Sequence, residues 1–242
     1  MKKLTLALTG LLTFLTIATV SAQTADELIA KHIEAIGGAE AWKKINSVRT
    51  EGTLTVQGTE VTVTSTVLHQ KGARQDISVM GMTGYTIVTP AAGWTFMPFQ
   101  GQTQVEAMTE DMLKESQDQV DAHGSVVDFK TKGHTIEYLG KEDVDGTECF
   151  KLKMTQKSGK VETMFLDPKS YLLIKSVSKR KANGAEVEET TTYSNYQKLP
   201  EGILLPMAIT VPVGPGIIAE LQVKKVEVNK PVDEAIFKSG QP

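Results

Sequence analysis

Nucleophiles, bases and metal ligands are few in this sequence. The histidines are His32, His69, His123 and His134, and the sole cysteine is Cys149. None of the histidines has metal-ligand spacing to another histidine, to the cysteine or to paired carboxylates. His32 falls beside the apolar stripe of a predicted helix, and the other three fall near strand ends or turns. All four therefore read as structural or solvated side chains. No Gly-x-Ser-x-Gly elbow is present to hold a serine nucleophile on a strained strand-to-helix turn, and no glycine-rich phosphate loop occurs. A lone thiol allows neither an intrachain disulfide nor a thiolate zinc centre. Cys149, inside a predicted strand, reads as a small apolar core residue. Glu186, Glu188, Glu189, Asp233 and Glu234 offer oxygens for calcium, but their setting reads as solvated strand faces and turns. The expectation is a protein without catalytic residues, cofactor or metal, with a hydrolase of unfamiliar type as the remotest reading.

With so little chemistry to position, the elements matter more than the motifs. Met1-Lys2-Lys3 is a short positive segment, Leu4 to Val20 is uncharged and largely apolar, and Val20-Ser21-Ala22 has small residues at cleavage-site positions. This reads as a signal peptide over residues 1–22, followed by a mature chain over residues 23–242 that forms one domain and works in the periplasm. Losing Lys2 and Lys3 takes the net charge from −3 to −5. An acidic chain without a clustered basic face is not expected to bind nucleic acid. The only basic run, Ser178-Lys179-Arg180-Lys181, reads as a solvated hairpin end.

Residues 24–37 predict an amphipathic helix, with Thr24 and Glu27 at capping-box spacing and Leu28, Ile29, Ile33 and Ile36 as its stripe. A short helix carrying Trp42 follows over residues 39–45. The period then changes to two. Val61, Val63 and Val67 alternate with threonines, and similar runs surround Leu54, Ile77, Ile87 and Trp94. A charged helix with a narrow Met/Leu stripe is predicted over residues 108–122. Beyond it, Asp145-Gly146, Ser158-Gly159 and Asn183-Gly184 join regular strands into hairpins. The fold class is mainly β with few helices: an antiparallel curved sheet, an open half-barrel, covered by the N-terminal and inserted helices.

Such a sheet has an apolar side to cover. A space left under the helices would be a pocket for apolar ligands, and side chains filling it would make an ordinary core. The candidate ligand-binding residues are Leu54, Val56, Val61, Val63, Val67, Ile77, Val79, Ile87, Trp94 and Phe96 from the sheet, with Met112 and Leu113 from the inserted helix. The alternative is a non-catalytic envelope interaction module with a filled core.

Several stretches carry a family resemblance. They are Leu28 to Gly38 with Trp42 and Ile45 to Val48, Gly133 to Gly146, Phe165-Leu166-Asp167-Pro168 with Tyr171-Leu172, and Pro231-Val232-Asp233 with Phe237. Together they resemble exported LolA/LolB-like proteins of Bacteroidetes type, the outer-membrane lipoprotein-sorting group, over nearly the whole mature chain. The resemblance implies an open half-barrel closed by helices and an apolar cavity for the acyl chains of lipids or lipoproteins. It also implies possible partners among inner- or outer-membrane envelope proteins. Arg49 and Arg74 are the strand residues it offers for the family's basic lid contact.

If residues 1–22 are an export signal, N-terminal sequencing of the protein from the envelope fraction should begin at Gln23. An intact Met1 in membranes would overturn this.

Overall fold

A computed structural model describes residues 24–182, 185–214 and 216–239. The predicted signal segment and the Asn183-Gly184 turn lie outside the described residues. Helix α1 spans Ala25–Ala35, and the predicted box closes its N-terminus: the Glu27 amide donates to Thr24 Oγ1 at 3.2 Å, and the Thr24 amide donates to Glu27 Oε2 at 3.1 Å. The helix ends where Gly37 takes φ +113°, a backbone angle that favours glycine. A Cβ there would also lie 2.5 Å from the Gly202 oxygen, so the bare backbone lets the 202–203 turn dock. The single turn α2, Ala39–Trp42, aims Trp42 inward, and its Nε1 donates to the Ile36 carbonyl at 3.0 Å.

Among the described residues every strand joins one antiparallel, unclosed sheet of 13 strands. The first arm holds β1 (Ser47–Val56), β2 (Thr59–Leu68), β3 (Gly72–Val79), β4 (Met82–Val88), β5 (Gly93–Phe96) and β6 (Glu106–Ala107). The second holds β7 (Thr135–Val144), β8 (Thr147–Thr155), β9 (Val161–Leu166), β10 (Leu173–Ala182), β11 (Ala185–Lys198), β12 (Leu204–Gly214) and β13 (Ile217–Val228). Each arm is a meander of hairpins, and β1 pairs with β13 in the middle, as Val48 opposite Val228. The order runs β6-β5-β4-β3-β2-β1-β13-β12-β11-β10-β9-β8-β7.

On one face, Leu28 and Ile29 of α1 pack on Phe150, Leu152, Met154, Met164 and Leu166 of the second arm. Each fully buried aliphatic side chain stabilises by roughly 1.5–3 kcal/mol. In the centre of that face, Trp42, Ile45, Val127, Ile203 and Val228 form the next cluster. The opposite face of the first arm is covered by the C-terminal tail, which lays Phe237 on Tyr85 and Ile87. A Cβ at Gly72 would lie 2.6 Å from the Phe237 ring, so glycine makes room for that strap.

The inserted segment differs from expectation. The α-helix, α3, covers only Glu110–Ser116, capped by Thr109, and continues as a 3₁₀ turn over Gln117–Val120. Met112 and Leu113, adjacent on this short helix, meet different surroundings. Leu113 packs with Met108 and Val120 against Ala73 and Val88, while Met112 is 47 % exposed.

His32 is buried, and its Nδ1 donates to the Tyr171 carbonyl at 2.8 Å. Burial pulls its pKa below the usual histidine value, with the carbonyl bond opposing. The folded state therefore holds the neutral ring more strongly than the unfolded chain does. This contribution is whole above pH ~6.5, the unfolded value, and is lost as pH falls toward the lowered folded value. Thermal melts from pH 7 to 5 should show a steeper loss of stability in the wild type than in His32→Gln. Parallel pH profiles would exclude it.

Candidate functional site

The sheet register assembles one apolar cluster from strand side chains alone. Leu54 stands opposite Val61, Val61 opposite Val79, and Val63 opposite Ile77. With Ala219 of β13 these residues pack together, flanked by Val56 and Leu221. Among the described residues no helical side chain enters the cluster. At the hairpin ends nearby, Met80 is 81 % exposed, and Ile218, 71 % exposed, points to the face opposite Ala219.

Six of the twelve residues singled out in the sequence meet here: Leu54, Val56, Val61, Val63, Ile77 and Val79. Val67 and Leu113 pack instead around Ala73, Val88 and Val120. Ile87, Trp94 and Phe96 belong to the cluster under the C-terminal strap. The register gives the reason. Ala73, not Arg74, shares the face of Val67, and Ile87 pairs with Arg74, so Ile87 and its partner Trp94 point to the other side. Val88, one residue on, is the one that faces the helices.

The two arginines also lie on that other side. Arg74 is buried, pairs with Asp76 at 2.7 Å, donates to the Ile236 carbonyl at 3.1 Å and lies over the Tyr85 ring at 4.7 Å. Arg49 pairs with Glu51 and Glu227. Arg74 thus ties down the C-terminal strap, whose Glu234–Phe237 stretch is a 3₁₀ turn.

A polar cleft of about 550 Å³ opens where the 3₁₀ turn and the loop after it approach the β8–β9 hairpin. Gln70, Lys114, Asp118, Asp121, Lys132 and His134 are among its lining residues. Lys160 donates to Asp118 Oδ2 at 2.7 Å, while Asp118 Oδ1 is buried without a hydrogen-bond partner. Lys132 pairs with Asp121 Oδ2. Beside the cleft the rings of His69 and His123 stack at 3.9 Å with 20° between planes. Burial, then the neighbouring His123, holds His69 below the usual histidine range. Burial and then Lys132 do the same to His134.

The histidines read as isolated in the sequence, and two of them are not. Only tertiary pairing reveals this, because the turn after β2 meets the loop after α3 through the Gln70 amide and the Val120 carbonyl, at 2.8 Å. Asp121-Ala122-His123 was the one local signal, a carboxylate and an imidazole two residues apart.

No family model matches the chain, and no curated protein matches it. Solved structures do. A LolA superfamily protein from Nitrosomonas europaea aligns with a TM-score of 0.57 at 13 % identity, over 90 % of this chain and 99 % of that one. A DUF1329 family protein from Desulfovibrio piger gives 0.56 at 13 % identity, over 90 % and 98 %. An outer membrane lipoprotein-sorting protein domain from Vibrio parahaemolyticus gives 0.51 at 14 % identity, over 86 % and 97 %. At such identities the likeness speaks for the fold, and the fold of this chain is LolA-like.

Proposed function

We propose that this chain is a non-catalytic, periplasmic binding protein that holds acyl chains of lipids or lipid-modified proteins against its strand-only apolar cluster. The observation that carries the reading is the cluster itself: Leu54, Val56, Val61, Val63, Ile77 and Val79 pack into an apolar cluster to which no described helix contributes. Burial of an acyl chain supplies roughly 0.8 kcal/mol per methylene, so such a surface needs no catalytic group to retain one. A lipoprotein-sorting domain is among the similar structures, which supports the reading by analogy of fold, and sites rather than folds set function. The binding residues expected from the sequence contract, in this reading, to the six that meet.

A specific observation favours the second reading, an envelope interaction module with a filled core. Leu54, Val61 and Val63 are 8 %, 8 % and 9 % exposed, values typical of packed interiors.

Val63→Glu separates the two. An unpaired carboxylate in a dry core is costly, whereas an open cavity admits water to it. The binding reading expects uptake of a fluorescent fatty acid by the wild type at micromolar concentration, at least about tenfold weakened in the variant, equivalent to about 1.4 kcal/mol, with the circular dichroism unchanged. No uptake by the wild type, together with an unfolded variant, would assign the chain to the interaction module.

A further inference from the structure

We propose that His69, Asp121 and His123 form a binding site for one divalent transition-metal ion of the zinc type. The inference is independent of the acyl-chain reading. One ligand atom from each residue lies within 4.8 Å of the others. Two imidazoles and a carboxylate form a donor set that suits zinc, with water completing the coordination.

Each side chain is prepared for the role by a different contact. His123 Nε2 lies 3.0 Å from the Ile45 carbonyl, which can only accept, so Nε2 carries the proton and Nδ1 keeps its lone pair. A ligating histidine usually donates its other N–H in this way, and the bond fixes tautomer and ring orientation. His69 Nδ1 is buried and makes no hydrogen bond, although Asp121 Oδ1 lies 3.3 Å away. A buried ring nitrogen without a partner is uncommon, and an ion would satisfy it. Asp121 Oδ1 accepts the His123 amide at 2.9 Å, which sets the carboxylate within its own turn.

Lys132 holds the other oxygen of Asp121, so the carboxylate would ligate through Oδ1 alone. The stacked rings do not aim their lone pairs at one point. They must splay on binding, and the ammonium of Lys132 is the cation that the metal competes with. Asp121 also lines the cleft, so a water ligand would open toward it. The ion would clamp the turn after β2 to the loop after α3, two segments already joined through Gln70 and Val120.

The purified protein with ¹⁵N-labelled histidines can be titrated with zinc, each ring nitrogen being followed by two-bond ¹H–¹⁵N spectra. One ion per chain should shift Nδ1 of His69 and of His123. His32 should stay unmoved, because its Nδ1 is engaged by Tyr171. His134, whose Nδ1 accepts the Lys157 amide at 3.0 Å, should stay unmoved too. The melting temperature should rise with zinc. In calorimetry His69→Ala and His123→Ala should each weaken binding at least about tenfold, about 1.4 kcal/mol, and His134→Ala should not. No stoichiometric binding at micromolar zinc, shifts centred on His32 or His134, or unchanged affinity in either alanine variant of the pair would overturn the site. Should those variants fail to fold, the wild-type ring shifts decide.

Discussion

The pairing of β1 with β13 is the constraint on which the rest of the structure depends. Each arm of the sheet is built of local hairpins, and this one ladder joins strands from opposite ends of the described chain. Loop-closure entropy grows slowly with length, and the ladder that closes this loop runs from Val48 to Thr53 with one register shift between Glu51 and Gly52. Asn229 pegs the junction. Its Oδ1 accepts the Asn46 amide at 2.6 Å, its Nδ2 donates to the Lys44 carbonyl at 3.0 Å, and Ser47 Oγ donates to the Lys230 carbonyl at 2.8 Å. Without the junction each arm would present a long unpaired edge. With it, the free edges are the two-residue β6 and the charged β7, where Lys141 pairs with Glu148 and Glu142 with Lys151.

Joining the arms also decides what each face can carry. The helix α1 enters just before β1, yet it packs on β8 and β9, far along the other arm, and so spends its apolar stripe on Phe150, Leu152 and Met164. The C-terminal tail leaves β13 and crosses to the opposite face of the first arm, held there by Arg74 and Phe237. The end of the first arm around Leu54 and Val63 is thus reached by neither element, and strand side chains alone build its cluster. Local patterns of apolar residues cannot reveal this, because it follows from which arm each covering element selects.

The sequence carried the elements well and the faces poorly. Asp145-Gly146 and Ser158-Gly159 join Thr135–Val144 to Thr147–Thr155 and that strand to Val161–Leu166, as the turn signals predict, and the Thr24–Glu27 box starts α1 as its spacing requires. Those signals are local. Register is not, and one residue of parity separates Val88, which faces the helices, from Ile87, which lies under the strap. Ile87, Trp94 and Phe96 are as apolar as Val61 and Val63, so composition gave no means of telling which side each would take. The inserted segment differs because its Met/Leu stripe runs past the α-helix into a 3₁₀ turn, and Met112 faces outward.

The loop from Asp121 to His134 shows how such parity leaves polar chemistry behind. Its apolar residues are committed: Val127 enters the central cluster with Trp42 and Ile203, and Phe129 packs on the α1 cluster. Anchored at those points, the loop has little freedom to place its polar groups for comfort. Asp121 and Lys132 pair beside the cleft, and His123 is driven against His69. Both buried side-chain atoms without a hydrogen-bond partner among the described residues, His69 Nδ1 and Asp118 Oδ1, belong to this region. An unsatisfied buried polar group costs about 1–3 kcal/mol. Sequences that agree with their fold at other levels tend to concentrate such costs where something other than stability is being specified. The apolar cluster and this polar corner therefore call for different explanations. The first is a cluster that strand side chains build without the covering elements, and the second is a place where well-anchored backbone holds polar atoms in an arrangement that packing alone does not require.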